Sequence, residues 1–470
     1  MKSPETATSP NPDAAPASTS MPPADPRSSS PADVLPSAPP RTGLSPLRRT
    51  LALLTLCYLG FLTPLASTAL LVAVPEIAAE FSTTGTIINI SNALFFVSMA
   101  VSPMFWGPLL NVIGRRPVFI SAGALLAAFL AGTAAAPTLA GFIAFRVLTA
   151  FQGTAYLVAG SVVVGDLYPP ESRGRALGWF MSGILVGPSF APLLGGGIVT
   201  VTSWRVIFWV LTGMAIAGVA LIFFFLPETM PTNPEPLPGF VPLCRLLNPW
   251  LVIRPLLFYP NLWIAALAVS SLIWNQYSLL TPIRYVINPR FDIESPIKSA
   301  LFFLPPGLGY LAGSIVGGRY SDRIVARFIE KRGRRVPEDR LRAAVPLMAL
   351  AVPGSMVLYG WAIDKEVGGI PLVVIAMFAQ GFLQLCCMPS LNTYCIDVMQ
   401  EKGQSSVVVA GNYLTRFLFA GAASAACLPA IQAIGVGWFS TISSAFIAVN
   451  AFLLWLLAHR GERWRMERDT

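Results

Sequence analysis

Apolar runs of about twenty residues recur along the whole chain, and this repetition limits the possible fold more than any other feature. A helix of this length crosses the roughly 30 Å hydrocarbon core of a bilayer. Only 12% of the residues are charged, compared with about 25% in soluble globular proteins. We therefore predict an all-α integral membrane protein with twelve transmembrane helices. The predicted spans are 51–74, 87–111, 117–136, 138–164, 175–199, 204–226, 259–284, 297–318, 343–363, 370–392, 405–431 and 435–458.

The positively charged residues predict how these spans are oriented. Most of the 32 Lys and Arg residues fall on the cytoplasmic side if the N-terminus is cytoplasmic, as the positive-inside rule requires. An even number of spans then places both termini in the cytoplasm. The net charge of +9 is explained by topology, so the lipid bilayer is the expected partner and nucleic acid is not.

The segments outside the spans divide the chain into five parts. The first 48 residues are rich in Pro, Ser and Ala and cannot form a hydrophobic core, which predicts a disordered cytoplasmic tail. A second Pro-rich stretch separates six spans from six. The parts are a tail at 1–48, an N-terminal six-helix bundle at 49–226, a cytoplasmic central loop at 227–254, a C-terminal six-helix bundle at 255–458 and a cytoplasmic tail at 459–470.

A short motif follows the second span of each predicted bundle. "GPLLNVIGRR" (107–116) and "GRYSDRIVAR" (318–327) align without a gap, so that Asn111 falls on Asp322. This match predicts an internal duplication of six spans. Glycine would let helices approach closely, and the arginines would hold the loop at the anionic membrane surface, or would only mark topology. The motif residues are Gly107, Asn111, Gly114, Arg115, Arg116, Gly318 and Arg323.

The predicted fifth span contains the unusual stretch "GILVGPSFAPLLGGG" (183–197). Small residues four apart lie on one helix face and allow close packing against a partner helix. Proline leaves carbonyls unpaired, which a membrane helix tolerates where neighbours or cavity water satisfy them. The candidate packing and gating residues are Gly183, Gly187, Pro188, Pro192, Gly195 and Gly196.

Together these motifs resemble those of the major facilitator superfamily, and within it the fungal branch of the twelve-span drug:proton antiporters. Further matching segments are "FRVLTAFQGTA" (145–155), "DLYPPESRGRALG" (166–178), "WRVIFWV" (204–210), "LPET" (226–229) and "NYLTRFL" (412–418). The resemblance covers nearly all of 51–458. It implies two pseudo-symmetric six-helix bundles, a monomer in the plasma membrane, a small-molecule substrate, no cofactor and no metal, and energy from the proton gradient.

The resemblance also implies that the fifth span lies between the two bundles and takes part in gating. An unusually flexible helix with a structural role only is the alternative.

Two arginines lie inside the predicted spans, where an ionisable side chain is costly and is therefore a functional candidate. Arg146 lies about 12 Å below the outer end of span four, and Arg416 lies within span eleven. The resemblance supports a role of Arg146 in coupling or anion handling, whereas bracing of helices is the structural alternative for both. No Asp or Glu lies in mid-membrane. A proton relay would depend on Asp166 or Asp322 near the cytoplasmic helix ends, and a uniporter driven by its substrate gradient stays open.

A substrate pocket built from spans one, four, seven and ten is a further implication of the resemblance. Amides flanked by aromatic rings suit an apolar ligand with a few hydrogen-bonding groups. Hydrogen bonding between helices is the alternative for each amide. The candidate substrate-binding residues are Gln152, Tyr156, Asn275, Gln276, Tyr277, Gln380 and Gln384.

The sequence favours an exporter of small, largely apolar organic molecules, either xenobiotics or a secondary metabolite, in exchange for protons. An importer or facilitative uniporter of an organic acid or other nutrient is the nearer alternative. An integral-membrane enzyme or a sensor is the more distant one. His459 is the only histidine and no phosphate-binding loop of the Walker type is found, which argues against most enzyme chemistry and against ATP as the energy source.

Overall fold

The structure is a computed structural model that describes residues 44–168, 170–229, 248–334, 336–400 and 405–469. Most of the predicted N-terminal tail and of the central loop lies outside these residues. The described residues form helices joined by short turns and contain no β-strand, which confirms the all-α prediction.

Seven helices make up the first half of the chain, defined here as residues 44–229. They are α1 (Pro46–Thr68), α2 (Leu70–Glu80), α3 (Gly85–Val112), α4 (Arg115–Ala135), α5 (Leu139–Leu167), α6 (Pro170–Val201) and α7 (Arg205–Phe225). The first predicted span corresponds to α1 and α2 together, and the other five predicted spans each fall on one helix.

The second half, residues 248–469, is more often interrupted. Its α-helices are α8 (Trp250–Phe258), α9 (Pro260–Leu280), α10 (Asn288–Arg290), α11 (Pro296–Ala300), α12 (Leu304–Arg332), α13 (Leu341–Pro346), α14 (Val352–Asp364), α15 (Gly369–Gln400), α16 (Ser405–Ile434) and α17 (Val436–Asp469). Turns of π-helix (Ile283–Ile287 and Leu347–Ala351) and of 3-10 helix (Leu301–Phe303 and Pro337–Arg340) lie between them.

Local sequence signals set several of the helix ends. The Thr84 hydroxyl accepts a hydrogen bond from the backbone N–H of Ile87 at 3.4 Å and so caps α3. Thr138 caps α5 in the same way, through the N–H of Gly141 at 3.2 Å. These side chains satisfy N–H groups that have no partner within the helix. At the other end of a helix, Gly333 adopts a φ of 70° and terminates α12, as glycine does without steric cost.

Ten helical segments of the described chain are long and apolar enough to cross a membrane. The pair formed by Val252–Phe258 and Pro260–Arg290 makes an eleventh if it counts as one span, although it bends by 105°. In α6, the apolar segment that was found is Phe190–Val201. The chain is therefore a multi-pass membrane protein, and the number twelve stays a prediction.

Three ends differ from the sequence prediction. Residues 250–254, predicted as loop, belong to the helix α8. The C-terminal tail, predicted at 459–470, continues α17 as far as Asp469. Its Glu462 forms a salt bridge with Arg334 at 2.8 Å. The α12 helix also extends to Arg332, fourteen residues past the predicted end of that span. Charged residues that face the aqueous side allow these helices to continue beyond the apolar runs.

Three hydrophobic clusters form the core. The buried residues of the first cluster all lie between residues 52 and 226, so the first half has a core of its own. The second and third clusters consist mainly of residues between 256 and 458. The first half adds eight buried residues to them: Phe95, Phe96, Met99 and Ala100 of α3, Ala150 and Leu157 of α5, and Leu71 and Val72 of α2. These first-half residues are therefore part of the packing between the halves.

The closest helix packing in the second half is between α12 and α15. A Cβ atom added at Gly309, Gly313 or Gly317 would lie 2.2 to 2.5 Å from backbone atoms of α15. Only glycine at these three positions, each four residues from the next, lets the two backbones approach so closely.

Candidate functional site

The charged residues of the described chain form two rims at the ends of the helices. We call the end that contains Pro46, Asp166 and Asp322 the inner rim, and the end that contains Glu76 and Arg284 the outer rim, following the predicted orientation. Between the rims, Arg146 and Arg416 are the charged side chains that lie well inside the predicted spans.

At the inner rim of the first half, Arg115 forms a salt bridge with Asp166 over 3.4 Å. The Glu228 carboxylate accepts hydrogen bonds from the backbone N–H groups of Arg115 and Arg116, both at 3.0 Å. It therefore caps the N-terminus of α4, where a negative charge is favourable. Gly114, at the preceding position, has a φ of 105°, which favours glycine. These contacts hold the loop between α3 and α4 against the end of α7.

The inner rim of the second half repeats this arrangement with an additional acid. Arg340 lies 3.6 Å from Asp322 at the end of the predicted eighth span and 3.6 Å from Asp397 at the end of α15. Asp397 thus corresponds to Asp166, and Arg340 to Arg115. The position that aligns with Asp322 is Asn111, whose side chain lies outside the described part of the structure. Arg323 is exposed.

The two motif glycines do not have the predicted packing role. A Cβ atom added at Gly107 or Gly318 would meet no atom within 4 Å, so neither glycine allows a close approach of helices in this structure. The expectation of close packing at these two positions is not supported. Both lie near the inner rim, where the helices have room for a side chain.

The glycine face of α6 packs mainly on its own half. A Cβ atom added at Gly183, Gly187 or Gly195 would lie 2.5 to 3.0 Å from a backbone oxygen of α1 or of the residue that follows it. Gly196 faces the other half, and its added Cβ would lie 3.0 Å from the Pro296 carbonyl oxygen. Gly196 therefore lies between the halves, as the resemblance implied for this helix. The face formed by Gly183, Gly187 and Gly195 packs on α1 of the same half instead.

Pro188 and Pro192 lie inside α6, and the helix continues through both of them from Pro170 to Val201. Neighbouring helices tolerate such prolines in a membrane helix.

The outer rim contains an ion pair between the two halves. Arg284, in the π-helical turn after α9, donates a hydrogen bond to Glu76 of α2. The Arg284 side chain is 7% exposed, so the pair is largely shielded from solvent. Among the described residues, the other outer ion pairs lie within one half: Arg205 with Glu80 at 2.8 Å, Arg290 with Glu366 at 2.5 Å, and Lys365 with Asp364 at 3.4 Å.

Arg146 is the most deeply buried charge, with 1% of its surface exposed. Its guanidinium donates to the Ala66 carbonyl oxygen at 3.2 Å and to Oδ1 of Asn92 at 2.9 Å. It also lies over the ring of Phe95, 4.4 Å from the centroid. Asn92 in turn donates to the Ser424 hydroxyl at 3.3 Å. Asn92 therefore links Arg146 of α5 to Ser424 of α16 in the second half.

Three of the predicted substrate-binding amides form a chain between α15 and α9. Gln380 donates to Gln384 at 2.9 Å, and Gln384 donates to Gln276 at 2.9 Å. All three side chains are buried. The adjacent Asn275 is also buried, and neither of its amide atoms has a partner in the described structure. The Oε1 atom of Gln152 on α5 is buried without a partner as well.

The two predicted tyrosines lie in different places. Tyr156 packs inside the first half, where its ring stacks on Phe119, and the structure does not bring it together with the glutamines. Tyr277 lies where the halves meet. Its ring centroid is 4.6 Å from that of Phe96. The Phe96 ring also stacks on Phe417, the residue after Arg416, with 6.5 Å between the centroids.

Several residues of this site were missed by sequence reasoning. Asn92 and Ser424 join Arg146 to the second half, and Glu76 and Arg284 join the halves at the outer rim. Asn92 lies with Asn89 and Ser91 in a stretch of α3, residues 87–97, whose other residues are apolar, which is a signal that could have been used. Glu76 and Arg284 are 208 residues apart, so no local sequence pattern indicates that they form an ion pair.

Comparison with known proteins identifies the family. A family model described as Major Facilitator Superfamily matches residues 56–422. The MFS antiporter QDR3 of Candida albicans is 24% identical, over 87% of this chain and 77% of that protein. The efflux pump radE of Floropilus chiversii is 26% identical, over 89% of this chain and 81% of that protein. The resemblance inferred from the motifs is thereby confirmed, and members of this family are transporters and not enzymes.

The fold is also found among solved structures. A bacterial homologue of the human lysosomal transporter Spinster, in an inward-facing and unoccupied conformation, superimposes with a TM-score of 0.62 at 15% identity. The match covers 90% of this chain and 99% of that one. At this identity the similarity concerns the fold alone.

Proposed function

The chain belongs to the major facilitator superfamily, and on that premise we propose that it exports small, largely apolar organic molecules across the plasma membrane by alternating access, in exchange for protons. The relatives support this direction, since one is named an antiporter and another an efflux pump. The cargo would be a xenobiotic or a secondary metabolite, carried by a monomer with both termini in the cytoplasm.

The observation that carries the proposal is the position of the contacts between the halves. At the outer rim, Glu76 bonds to Arg284 and Gly196 lies against Pro296. Deeper in the membrane, a Cβ atom added at Gly421 of α16 would lie 3.0 Å from the Ala93 carbonyl oxygen of α3. These contacts close the outer side, and an exporter in this state is ready to load from the cytoplasm.

The inner part of α3 behaves differently from its outer part. Phe95 and Phe96 pack with residues of the second half, whereas Trp106 and Leu110, nearer the inner rim, pack in the core of the first half. The α3 helix therefore changes partner along its length. Such an arrangement lets the inner ends separate while the outer ends stay in contact, which is what alternating access requires.

Proton exchange needs a carboxylate that changes its protonation state as access alternates. Since no Asp or Glu lies in the predicted spans, we propose the inner-rim acids Asp166 and Asp322 for this role. The same observation favours a second candidate, a facilitative uniporter that moves its cargo without protons.

The first experiment compares metabolites inside cells and in the medium, with the gene deleted and restored. We expect one class of compound to be retained inside the deleted cells, with Gly196→Leu failing to restore its release. A compound that instead stays in the medium would reverse the direction and favour an importer.

The second experiment tests the coupling with the compound so identified. In inside-out membrane vesicles with a constant substrate gradient, a protonophore should stop accumulation if protons are exchanged. Accumulation at an unchanged rate would contradict antiport and support the uniporter.

A further inference from the structure

The membrane interior of this chain contains positive charge without negative charge. Of the chain's Asp, Glu, Lys and Arg residues, only Arg146 and Arg416 lie well inside the predicted spans. The spans contain no Asp or Glu, and their other basic residues lie at the span ends: Arg175, Arg205, Arg284 and Lys298. A cation in a low-dielectric interior is unfavourable unless a partner neutralises it. The next question is which of the two arginines a ligand can reach.

Arg146 is not accessible in this structure. Only 1% of its surface is exposed, and its guanidinium already donates to Ala66 and Asn92. It contributes to the positive potential of the interior, but both of its terminal nitrogens already donate hydrogen bonds to neighbouring helices.

Arg416 is partly exposed, and it faces the interior of the molecule. The lipid-facing stripe of α16 is marked by its exposed residues, Leu418, Ala422, Ala426 and Pro429. Arg416 precedes Leu418 by two residues, which places it about 200° around the helix, on the side opposite to this stripe. Arg416 therefore lies on the inward side of α16, the side of the buried residues Ala420, Ala423 and Cys427.

The surroundings of Arg416 are aromatic. The rings of Tyr413 and Phe417 lie 5.8 and 6.0 Å from its guanidinium carbon, and Phe417 and Tyr277 of α9 both pack against the ring of Phe96. In the described part of the chain, no carboxylate or other hydrogen-bond acceptor lies within bonding distance of this guanidinium. Its five N–H donors are thus available to a ligand.

We infer that the cargo is an organic anion with an apolar aromatic body, whose negative group pairs with Arg416 and whose rings pack beside Tyr413 and Phe417. The inference rests on the proposed function and names its substrate class. An anion neutralises the uncompensated guanidinium and can accept two parallel N–H bonds from it. An organic cation would enter a positive, low-dielectric space without a counter-charge, so the site selects against it.

An anionic cargo also explains how export can proceed without a carboxylate in the membrane. A membrane potential that is negative inside drives anions outward. The carrier then needs a positively charged site for the cargo more than it needs a titrating group in mid-membrane.

The test uses three probes that share a naphthalene ring and keep one charge at every pH: naphthalene-2-sulfonate, neutral 2-naphthamide and trimethyl-2-naphthylammonium. Binding to the purified full-length protein in lipid nanodiscs is measured by quenching of tryptophan fluorescence. We expect the sulfonate to bind about tenfold more tightly than the ammonium probe, a factor that one well-placed charge pair supplies. Arg416→Gln should remove this preference and Arg416→Lys should retain most of it.

Arg254→Gln is the matched control. It removes the same charge from an exposed arginine of α8, which lies over Phe258 and outside the predicted spans. Its preference for the sulfonate should equal that of the unmodified protein. If the ammonium probe binds as tightly as the sulfonate, or if Arg254→Gln and Arg416→Gln reduce the preference equally, the inference is wrong.

Uptake of the same probes into inside-out vesicles separates this inference from the proposed function. Binding selectivity without any uptake would contradict the exporter and leave the anion site in place. Uptake of the ammonium probe and not of the sulfonate would keep the exporter and overturn the anion site.

Discussion

The ion pairs of the inner rim and those of the outer rim connect different parts of the molecule. At the inner rim, the ion pairs of the described residues join groups of the same half, such as Arg115 with Asp166 and Arg340 with Asp397. At the outer rim, Glu76 of the first half bonds to Arg284 of the second. Inner charges therefore stabilise each half separately, and the outer pair stabilises one arrangement of the halves.

The side chains of the inner ion pairs range from largely buried, with Arg115 and Asp166 at 11% and 12% exposed, to open to solvent. The Asp322 side chain is 74% exposed, and ion pairs of such groups contribute at most about 1 kcal/mol because water and salt screen them. The Arg284 side chain is 7% exposed, so less water competes for its hydrogen bond to Glu76. A change at the outer pair should alter the conformational equilibrium, whereas a change at the inner rim should alter stability.

The largest effect is expected from Gly196→Leu, which breaks the packing between the halves at the outer end of α6. An added Cβ atom would lie 2.7 Å from the Ala300 Cβ atom, and overpacking of this kind costs about 1–3 kcal/mol. Transport of the cargo per folded molecule should fall about tenfold or more, since 1.4 kcal/mol is a factor of ten. Vesicle uptake, normalised to the amount of folded protein, measures it.

Two controls sharpen this result. A Cβ atom at the neighbouring Gly197 would meet no atom within 4 Å, so Gly197→Leu should transport normally. Gly187→Leu, which would collide with α1 of the same half, should lower thermal stability and the yield of folded protein. Equal loss of transport in Gly196→Leu and Gly197→Leu would refute the packing argument.

An intermediate effect is expected from Glu76→Gln, which removes the charge from the pair between the halves. Val72 packs among second-half residues, so a cysteine in its place reports opening of the outer side. With Val72→Cys, labelling by a maleimide that cannot cross membranes should become about fivefold faster, the factor that about 1 kcal/mol produces. The chain without Val72→Cys gives the background from native cysteines.

Glu80→Gln is the control at the same rim. It breaks the pair with Arg205, which lies within the first half, and should leave the labelling rate unchanged. Exchange of the charges in Glu76→Arg/Arg284→Glu should restore slow labelling. If Glu80→Gln accelerates labelling as much as Glu76→Gln does, the outer pair has no special role.

The smallest effect is expected from Glu228→Ala at the inner rim. The carboxylate caps α4, and loss of a cap costs about 1 kcal/mol. The midpoint of thermal unfolding should fall slightly, with no change in labelling of Val72→Cys. Glu330→Ala, at an exposed position of α12, is the control for loss of a charge alone. Faster labelling in Glu228→Ala would show that the inner rim also controls opening.

Similar glycine patterns in two helices show the limit of prediction from sequence. The face of α6 was recognised from its four-residue spacing, yet the spacing could not say that its partner is α1 of the same half. Gly309, Gly313 and Gly317 have the same spacing but were not predicted as a packing face. In the structure they allow the closest helix packing of the second half. Gly107 and Gly318 were assigned a packing role that the structure does not support, because a glycine permits a close approach but does not require one.

The sequence alone determined the all-α membrane fold, the family, the positions of the helices and the absence of carboxylates from the membrane interior. These properties depend on composition and on spacing along a single helix, which the chain carries locally. Only the tertiary structure decided that Glu76 meets Arg284, that Asn92 connects Arg146 to Ser424, and that Tyr277 and Phe417 pack on the ring of Phe96. Each of these contacts joins residues from different helices, and their free energy depends on distance and burial, which exist only after the helices have packed.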